Sequence, residues 1–268
     1  MPRLRDIPLC ASTTAVHGLS SQILAEVNIV RPGILVDFSD LDIQIDSLQF
    51  PFLQQSAKSA LARAISARGI PMRINSAYRT CAQQFLLRRR LGSCGTTRAA
   101  KPGRSNHESG LGLDVDDSAG WRPFLRNQGW VWFGDADAVH YDFAGTPIGN
   151  VGVKAFQTLW NRNFPDQHIG DDGVYGPATE AKLNLSPSEG FDGGEAPRRI
   201  LRLTSPLMQG GDVRLVQLKL KELGLLTGNA DGIFGQNTAA AVRAFQQGQG
   251  IEADGAVGED TYEKLGIG

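Results

Sequence analysis

His107, Asp114 and His140 carry the chemistry that this sequence offers. Two imidazoles and one carboxylate are a common ligand set for catalytic zinc, and they leave one coordination position open. The first two lie in Ser105-Asn106-His107-Glu108-Ser109-Gly110-Leu111-Gly112-Leu113-Asp114, and the third follows Asp135-Ala136-Asp137-Ala138-Val139. Asp137, three residues before His140, is placed to act as general base. This is the residue set of a metal-dependent hydrolase. His107 and Asp114 are seven residues apart, too far for one helical face, so the chain must turn between them. Gly110 permits that turn, and Gly112 leaves room beside the metal. Taken singly, His107 reads more readily as a capping or surface histidine and Asp114 as a strand-end carboxylate.

The elements that must position these groups are short. Ala57, Ala60, Leu61, Ala64 and Ile65 keep the rhythm of a half-buried helix that ends at Gly69. Met72 to Asn75 reads as a strand leading into Ser76-Ala77-Tyr78-Arg79-Thr80, and a helix carries Gln84 to Leu91. Val139, Tyr141 and Phe143 alternate with His140 and Asp142, which predicts a strand whose polar face lines a cleft. Leu111 and Leu113 alternate in the same way with Gly112 and Asp114. Helices mixed with short strands, without a βαβ rhythm, predict an α+β fold.

The last third of the chain repeats itself. Asp-Gly-x-x-Gly-x-x-Thr occurs at Asp172–Thr179, Asp231–Thr238 and Asp254–Thr261, and Ala-Phe-Gln occurs at Ala155–Gln157 and Ala244–Gln246. Repetition of this kind is an architectural signal. Asp-Gly predicts a tight turn with Gly at positive φ, and the Thr is placed to cap the helix that follows. Residues 187–205 read as a linker. The resulting division is a catalytic region at 1–148, a partial repeat at 149–186, the linker, and a complete module at 206–268.

Bulk properties exclude several classes. The 268 residues have a formal net charge of −1, so there is no electrostatic footprint for nucleic acid. No apolar run is long enough to span a bilayer. Met1-Pro2-Arg3-Leu4-Arg5-Asp6 shows no signal peptide. Glycine patterns for nucleotides and the Gly-x-Ser-x-Gly of serine hydrolases are missing. The three cysteines make no Cys-x-x-Cys pair. Cys81 and Cys94 are the candidate disulfide with Cys10 free, and three reduced thiols are the alternative.

Four motifs stand in fixed order over roughly residues 35–145. They are Ser76-Ala77-Tyr78-Arg79-Thr80 with Gln84, Ser-x-His-x-x-Gly-x-x-x-Asp, Trp130-x-Trp132, and Asp-x-x-His-Tyr-Asp-Phe. Together they resemble the zinc D-alanyl-D-alanine carboxypeptidases of the VanY type. That resemblance implies a small α+β DD-peptidase fold shared with Hedgehog-type domains. It implies one zinc per chain on His107, Asp114 and His140, and Asp137 as catalytic carboxylate with Asp135 in reserve. Many family members carry Glu at the position of Asp137, and Ala at that of Gly112. Arg79 stands where the family's arginine faces the substrate or its oxyanion, and Ser105 and Gln84 are further substrate-binding candidates.

The C-terminal repeats resemble peptidoglycan-binding domain 1, an all-α three-helix module, with one full copy at 206–266 and a truncated copy at 151–185. The combined expectation is a monomeric zinc peptidase that cuts the D-amino-acid stem or cross-link of peptidoglycan, outside the cell membrane or at the wall. An inactive wall-binding protein is one alternative. A zinc amidase or endopeptidase of another wall-lytic class is a second, although the His-x-His of glycyl endopeptidases is replaced here by His140-Tyr141-Asp142.

Overall fold

The computed structural model describes residues 2–191, 200–205, 207–208 and 211–267. From the N-terminus, α1 (His17–Val30) is followed by β1 (Val36–Asp37), β2 (Ile43–Ile45) and β3 (Phe52–Leu53). Helix α2 (Gln55–Arg68) then leads to β4 (Met72–Ser76) and α3 (Cys81–Arg89). After a 3-10 turn at His107–Ser109 come β5 (Gly112–Val115), α4 (Ser118–Asn127), β6 (Trp130–Trp132) and β7 (His140–Phe143). Helices α5 (Gly149–Asn163), α6 (Pro177–Leu185), α7 (Gly211–Glu222), α8 (Gln236–Gln249) and α9 (Glu259–Lys264) complete the chain.

Five strands form one sheet in the order β2-β4-β5-β7-β6. Its pairs are antiparallel except β2–β4, which is parallel and bridged by α2, so one βαβ crossover exists where none was expected. The fold is α+β as the patterning implied. Helix α2 buries Ala57, Ala60, Leu61, Ala64 and Ile65 and closes on Gly69. These side chains join Leu113, Val115, Trp121, Trp130 and Tyr141 in a core beneath the sheet.

A second core crosses the boundary expected at 148. It unites Leu19, Ile23 and Val27 of α1 with Tyr78 and Phe85, and with Phe156, Leu159, Trp160, Leu183 and Phe191. The truncated repeat is therefore not a free-standing appendage: α5 buries its apolar side against α1. The expected linker begins later than 187 for the same reason, since Pro187 bridges to Arg3 and Ser188 and Phe191 are buried. Residues 192–199 of that linker lie outside the described residues.

A third core, containing Leu201, Val213, Val216, Leu220, Phe234, Val242, Phe245 and Tyr262, belongs to α7–α9 alone. Each repeat is tied by one buried glutamine. Gln217 accepts from the Gly232 amide at 2.7 Å and donates towards Asp231, the Ile233 carbonyl and Thr238. Gln246 does the same around Gly255, and Gln157 around Gly173. The Asp-Gly glycines take positive φ in all three copies. The threonine does not cap its helix. The cap is the preceding glycine, Gly176, Gly235 or Gly258, and the hydroxyl is consumed by the glutamine.

The cysteines pair differently from the expectation. Cys10 and Cys94 form the disulfide, with Cα atoms 5.6 Å apart, and Cys81 is free and buried. Cys81 opens α3 and turns its thiol inward to the Gly152 carbonyl of α5. Cys94 lies in an exposed loop beside the N-terminal segment, which Arg89 and Arg90 hold by the carbonyls of Leu4, Ile7 and Ala11.

Candidate metal centre

Strand register brings the site together. Asp114 of β5 is paired with His140 of β7 on one side and with Ser76 of β4 on the other. His107 enters from the 3-10 turn that precedes β5. Gly110 makes the return at φ +62°, where a Cβ would lie 2.5 Å from Leu35 Cδ2. At Gly112 a Cβ would stand 2.8 Å from the His107 amide nitrogen and 3.0 Å from its ring. The glycine at 112 is thus a packing requirement of this chain, because an alanine would push His107 out of place.

The three groups expected as ligands converge, each offering one atom within 4.8 Å of the others. Asp114 Oδ1 lies 2.8 Å from His140 Nδ1 and 3.3 Å from His107 Nε2, and those two nitrogens are 3.2 Å apart. The far side of each ring decides what this cluster is. His107 Nδ1 lies 2.6 Å from the Ala77 carbonyl, and His140 Nε2 lies 2.9 Å from Asp142 Oδ1. Both partners accept only, so each far nitrogen carries hydrogen. In the neutral tautomers the near nitrogens then present lone pairs to each other and to a carboxylate. Three acceptors aimed at one point make a candidate cation site, and ring orientation by carbonyl and carboxylate is the usual support for zinc-bound histidine. The donors are N, N and O, which suits zinc.

Electrostatics agree. Burial opposes charge on Asp114, but His107, His140 and Arg79 hold its carboxyl well below the usual range. Burial lowers the pKa of His107. Burial also works against charge on His140, yet its hydrogen bonds to Asp114 and Asp142 outweigh this and hold its pKa at about 9. Without a cation, His140 therefore carries a proton at neutral pH and must lose it to offer Nδ1. Zinc uptake is expected to release about one proton at pH 7, with affinity rising roughly tenfold per pH unit towards pH 9. Calorimetry in buffers of different ionisation enthalpy measures the proton count, and a count of zero would contradict this protonation state.

Asp142 is itself fixed by the Asn106 side-chain amide at 2.8 Å. Asp142→Asn should keep the fold and weaken zinc about 10- to 100-fold, the usual cost of losing a ligand's support. Competition with a chromogenic chelator would read it, and unchanged affinity would remove Asp142 from the site.

Arg79 is buried behind Asp114, its Nη2 3.7 Å from Oδ2, and is held by Gln84 Oε1 at 3.0 Å and Ser76 Oγ at 3.2 Å. Burial lowers its pKa, against the opposing charges of Asp114, Glu108 and Asp137. Gln84 is 1% exposed, with its other end on the Ala100 carbonyl, and so holds Arg79 in place. Ser105 is half-buried. Its amide bonds Glu108 Oε2 at 3.2 Å, which places it in the support of the turn. Asp137 and Asp135 occupy an exposed 3-10 turn at the rim, and the charge of Asp137 acts on Arg79.

Glu108 is the functional neighbour that sequence reasoning passed over. It is buried, its carboxylate takes the amides of Gly103 and Ser105, and burial pushes its pKa up to about 8 against those bonds. The signal was its position next to a ligand in a motif with no exposed role for a carboxylate.

Comparison with known proteins gives one family match, in the C-terminal module, and several partial relatives. Residues 209–265 match a family model described as "Putative peptidoglycan binding domain". The N-acetylmuramoyl-L-alanine amidase CwlL of Bacillus licheniformis is 38% identical over 111 residues, covering 36% of this chain and 31% of that protein. The amidase CwlM of Mycobacterium tuberculosis is 33% identical over 120 residues, 42% of this chain and 25% of the relative. A spore cortex-lytic enzyme of Oceanobacillus iheyensis is 45% identical over 56 residues, 21% of this chain and 20% of the relative. The chain thus spans about a third or less of the length of these relatives. No solved structure gives a significant match. No described helix is long and apolar enough to cross a membrane.

Proposed function

We propose that this chain is a zinc-dependent peptidoglycan hydrolase that cleaves a peptide bond in the D-amino-acid-containing stem or cross-link, with residues 206–268 holding it to the wall. The observation that carries the reading is the convergence of His107 Nε2, Asp114 Oδ1 and His140 Nδ1 with the far ring nitrogens already committed. The resemblance of the motifs to those of VanY-type peptidases suggests the bond class, and the match over residues 209–265 supports the polymer.

When bound, zinc supplies Lewis acidity and a water activated at neutral pH. The chain's residues do the rest. Asp137 accepts the proton of the attacking water and returns it to the leaving amine. Arg79, held rigid by Gln84 and Ser76, presents fixed positive charge to the oxyanion. Asp142 and the Ala77 carbonyl keep the two rings in register.

The names of the relatives favour a second reading, cleavage of the amide between muramic acid and L-alanine. Mass spectrometry of products from purified muropeptides separates the two. Loss of a terminal D-residue or scission of a cross-link supports the peptidase. Release of an intact stem peptide from the sugar supports the amidase, and no product with zinc bound refutes both.

The two substrate sizes also report on the module. Removing residues 206–268 should lower activity on whole sacculi by roughly tenfold or more and leave short soluble peptides nearly unaffected, since tethering raises local concentration without changing the chemistry. The truncation must retain residues through 191, because Phe191 is part of the core against α1. Equal losses on both substrates would make the module part of the active fold.

A further inference from the structure

Two open cavities, of about 440 and 660 Å³, meet where Lys101 and Pro102 face Tyr175. One wall is the loop 101–104, three residues from the metal ligand His107 and anchored through the Gly103 amide on Glu108. The other wall is the Asp-Gly turn of the truncated repeat, Gly173 to Pro177. In the complete module the equivalent turn, with Ile233, Gly235 and Gln236 in the places of Val174, Gly176 and Pro177, also borders a cavity, of about 500 Å³. The two turns are held by the same glutamine knot, so they present the same backbone.

Charge distinguishes the copy beside the metal. Arg88, Arg89, Lys101 and Arg104 line the joined cavities, and Glu180 is the one carboxylate among the lining residues. Arg88 and Arg89 bond neutral carbonyls, those of Ala99 and Leu4, and form no ion pair among the described residues. Glu180 is engaged by the Tyr175 hydroxyl at 3.1 Å. In a chain of net charge −1, four cations facing one carboxylate form a local anion site.

We propose that this groove is a second substrate subsite, which takes a carboxylate-bearing peptide arm of peptidoglycan and feeds the rest of that chain to the metal centre. The inference rests on the hydrolase reading above and extends it. The truncated repeat was absorbed into the α1 core, and its turn now forms a wall of the catalytic region's own binding surface. A wall peptide with free carboxylates matches the cations, and its extended backbone can lie across two open cavities that meet.

The test uses the full chain and a disaccharide tetrapeptide carrying a photoreactive group, with labelled peptides mapped by mass spectrometry. Label is expected in segments 88–104 and 173–180. The double variant Lys101→Glu/Arg104→Glu should reduce it at least tenfold while labelling within 207–238 persists, and unchanged zinc content and thermal unfolding show that the variant's catalytic region is folded. Amidating the probe's carboxylates should reproduce that loss on the unaltered protein. Groove labelling that survives charge reversal or amidation, or its absence, overturns the subsite. Displacement by poly(glycerol phosphate) where unlabelled muropeptide fails to displace also overturns it, in favour of a teichoic acid contact. Normal turnover with an unlabelled groove refutes the subsite alone, whereas groove labelling with no cleavage of any muropeptide refutes the hydrolase reading.

Discussion

Alanine at His107, Asp114 or His140 is expected to strip the protein of zinc and of hydrolysis together. The parent should hold close to one zinc per chain, and chelation should abolish its activity reversibly. Each substitution leaves two protein ligands where three converge, and no described His, Cys, Asp or Glu forms a second cluster to replace the missing one. The loss should therefore be all but complete, in contrast to the 10- to 100-fold weakening expected at Asp142. The substitutions should not unfold the chain, because the sheet beneath is held by Leu113, Val115, Trp121, Trp130 and Tyr141. Metal analysis beside circular dichroism makes the comparison, and stoichiometric zinc with full activity in any one of the three would sink the ligand assignment.

The site was legible because strand alternation leaves a trace in sequence. His140 and Asp142 share one face of β7 and Tyr141 the other, so the residues flanking a ligand announce which way it points. Helix α2 was legible for the same kind of reason, from an apolar stripe closed by glycine. Repeats are visible by self-comparison, yet only two of the three glutamines could be seen. Gln217 follows Leu215-Val216, which lacks the Ala-Phe that marks Gln157 and Gln246. Its role is set by one amide group, which no Ala-Phe before it announces.

What was not legible depended on long-range packing. Nothing in the spacing of Cys10, Cys81 and Cys94 says that Arg89 and Arg90 draw residues 4–11 against the end of α3. Once they do, Cys94 meets Cys10, and Cys81 is sealed beneath α5. The boundary at 148 failed in the same way. A repeat that matches half a module needs another surface to bury its apolar side, and sequence does not say which one. Helix α1, whose pattern carried no motif, supplies it. Gln84 is instructive at the site: its place inside the motif marked it as polar and near the chemistry, and only packing shows that it clamps Arg79.

Asp137→Asn is expected to keep zinc and lower kcat by about 10²- to 10⁴-fold, the usual contribution of a positioned base. The two halves of that result come from different parts of the site. Zinc is retained because Asp137 lies on the exposed rim turn and bonds neither imidazole. Turnover falls because an amide of the same shape cannot accept the proton of the attacking water. Asp137 is favoured over Asp135 by position, since it stands nearer to His140 and its charge reaches Arg79 on the floor of the site. Its carboxylate is one methylene shorter than the glutamate common at this place, so Asp137→Glu tests whether reach matters. Activity within tenfold of the parent in Asp137→Glu, beside the deep loss in Asp137→Asn, would identify the carboxylate itself as the working group. Comparing Asp135→Asn and Asp137→Asn at equal zinc content completes the assignment, because a rim carboxylate that merely shapes the turn alters KM more than kcat. If Asp137→Asn stays within tenfold of the parent while Asp135→Asn is inactive, the base belongs at 135.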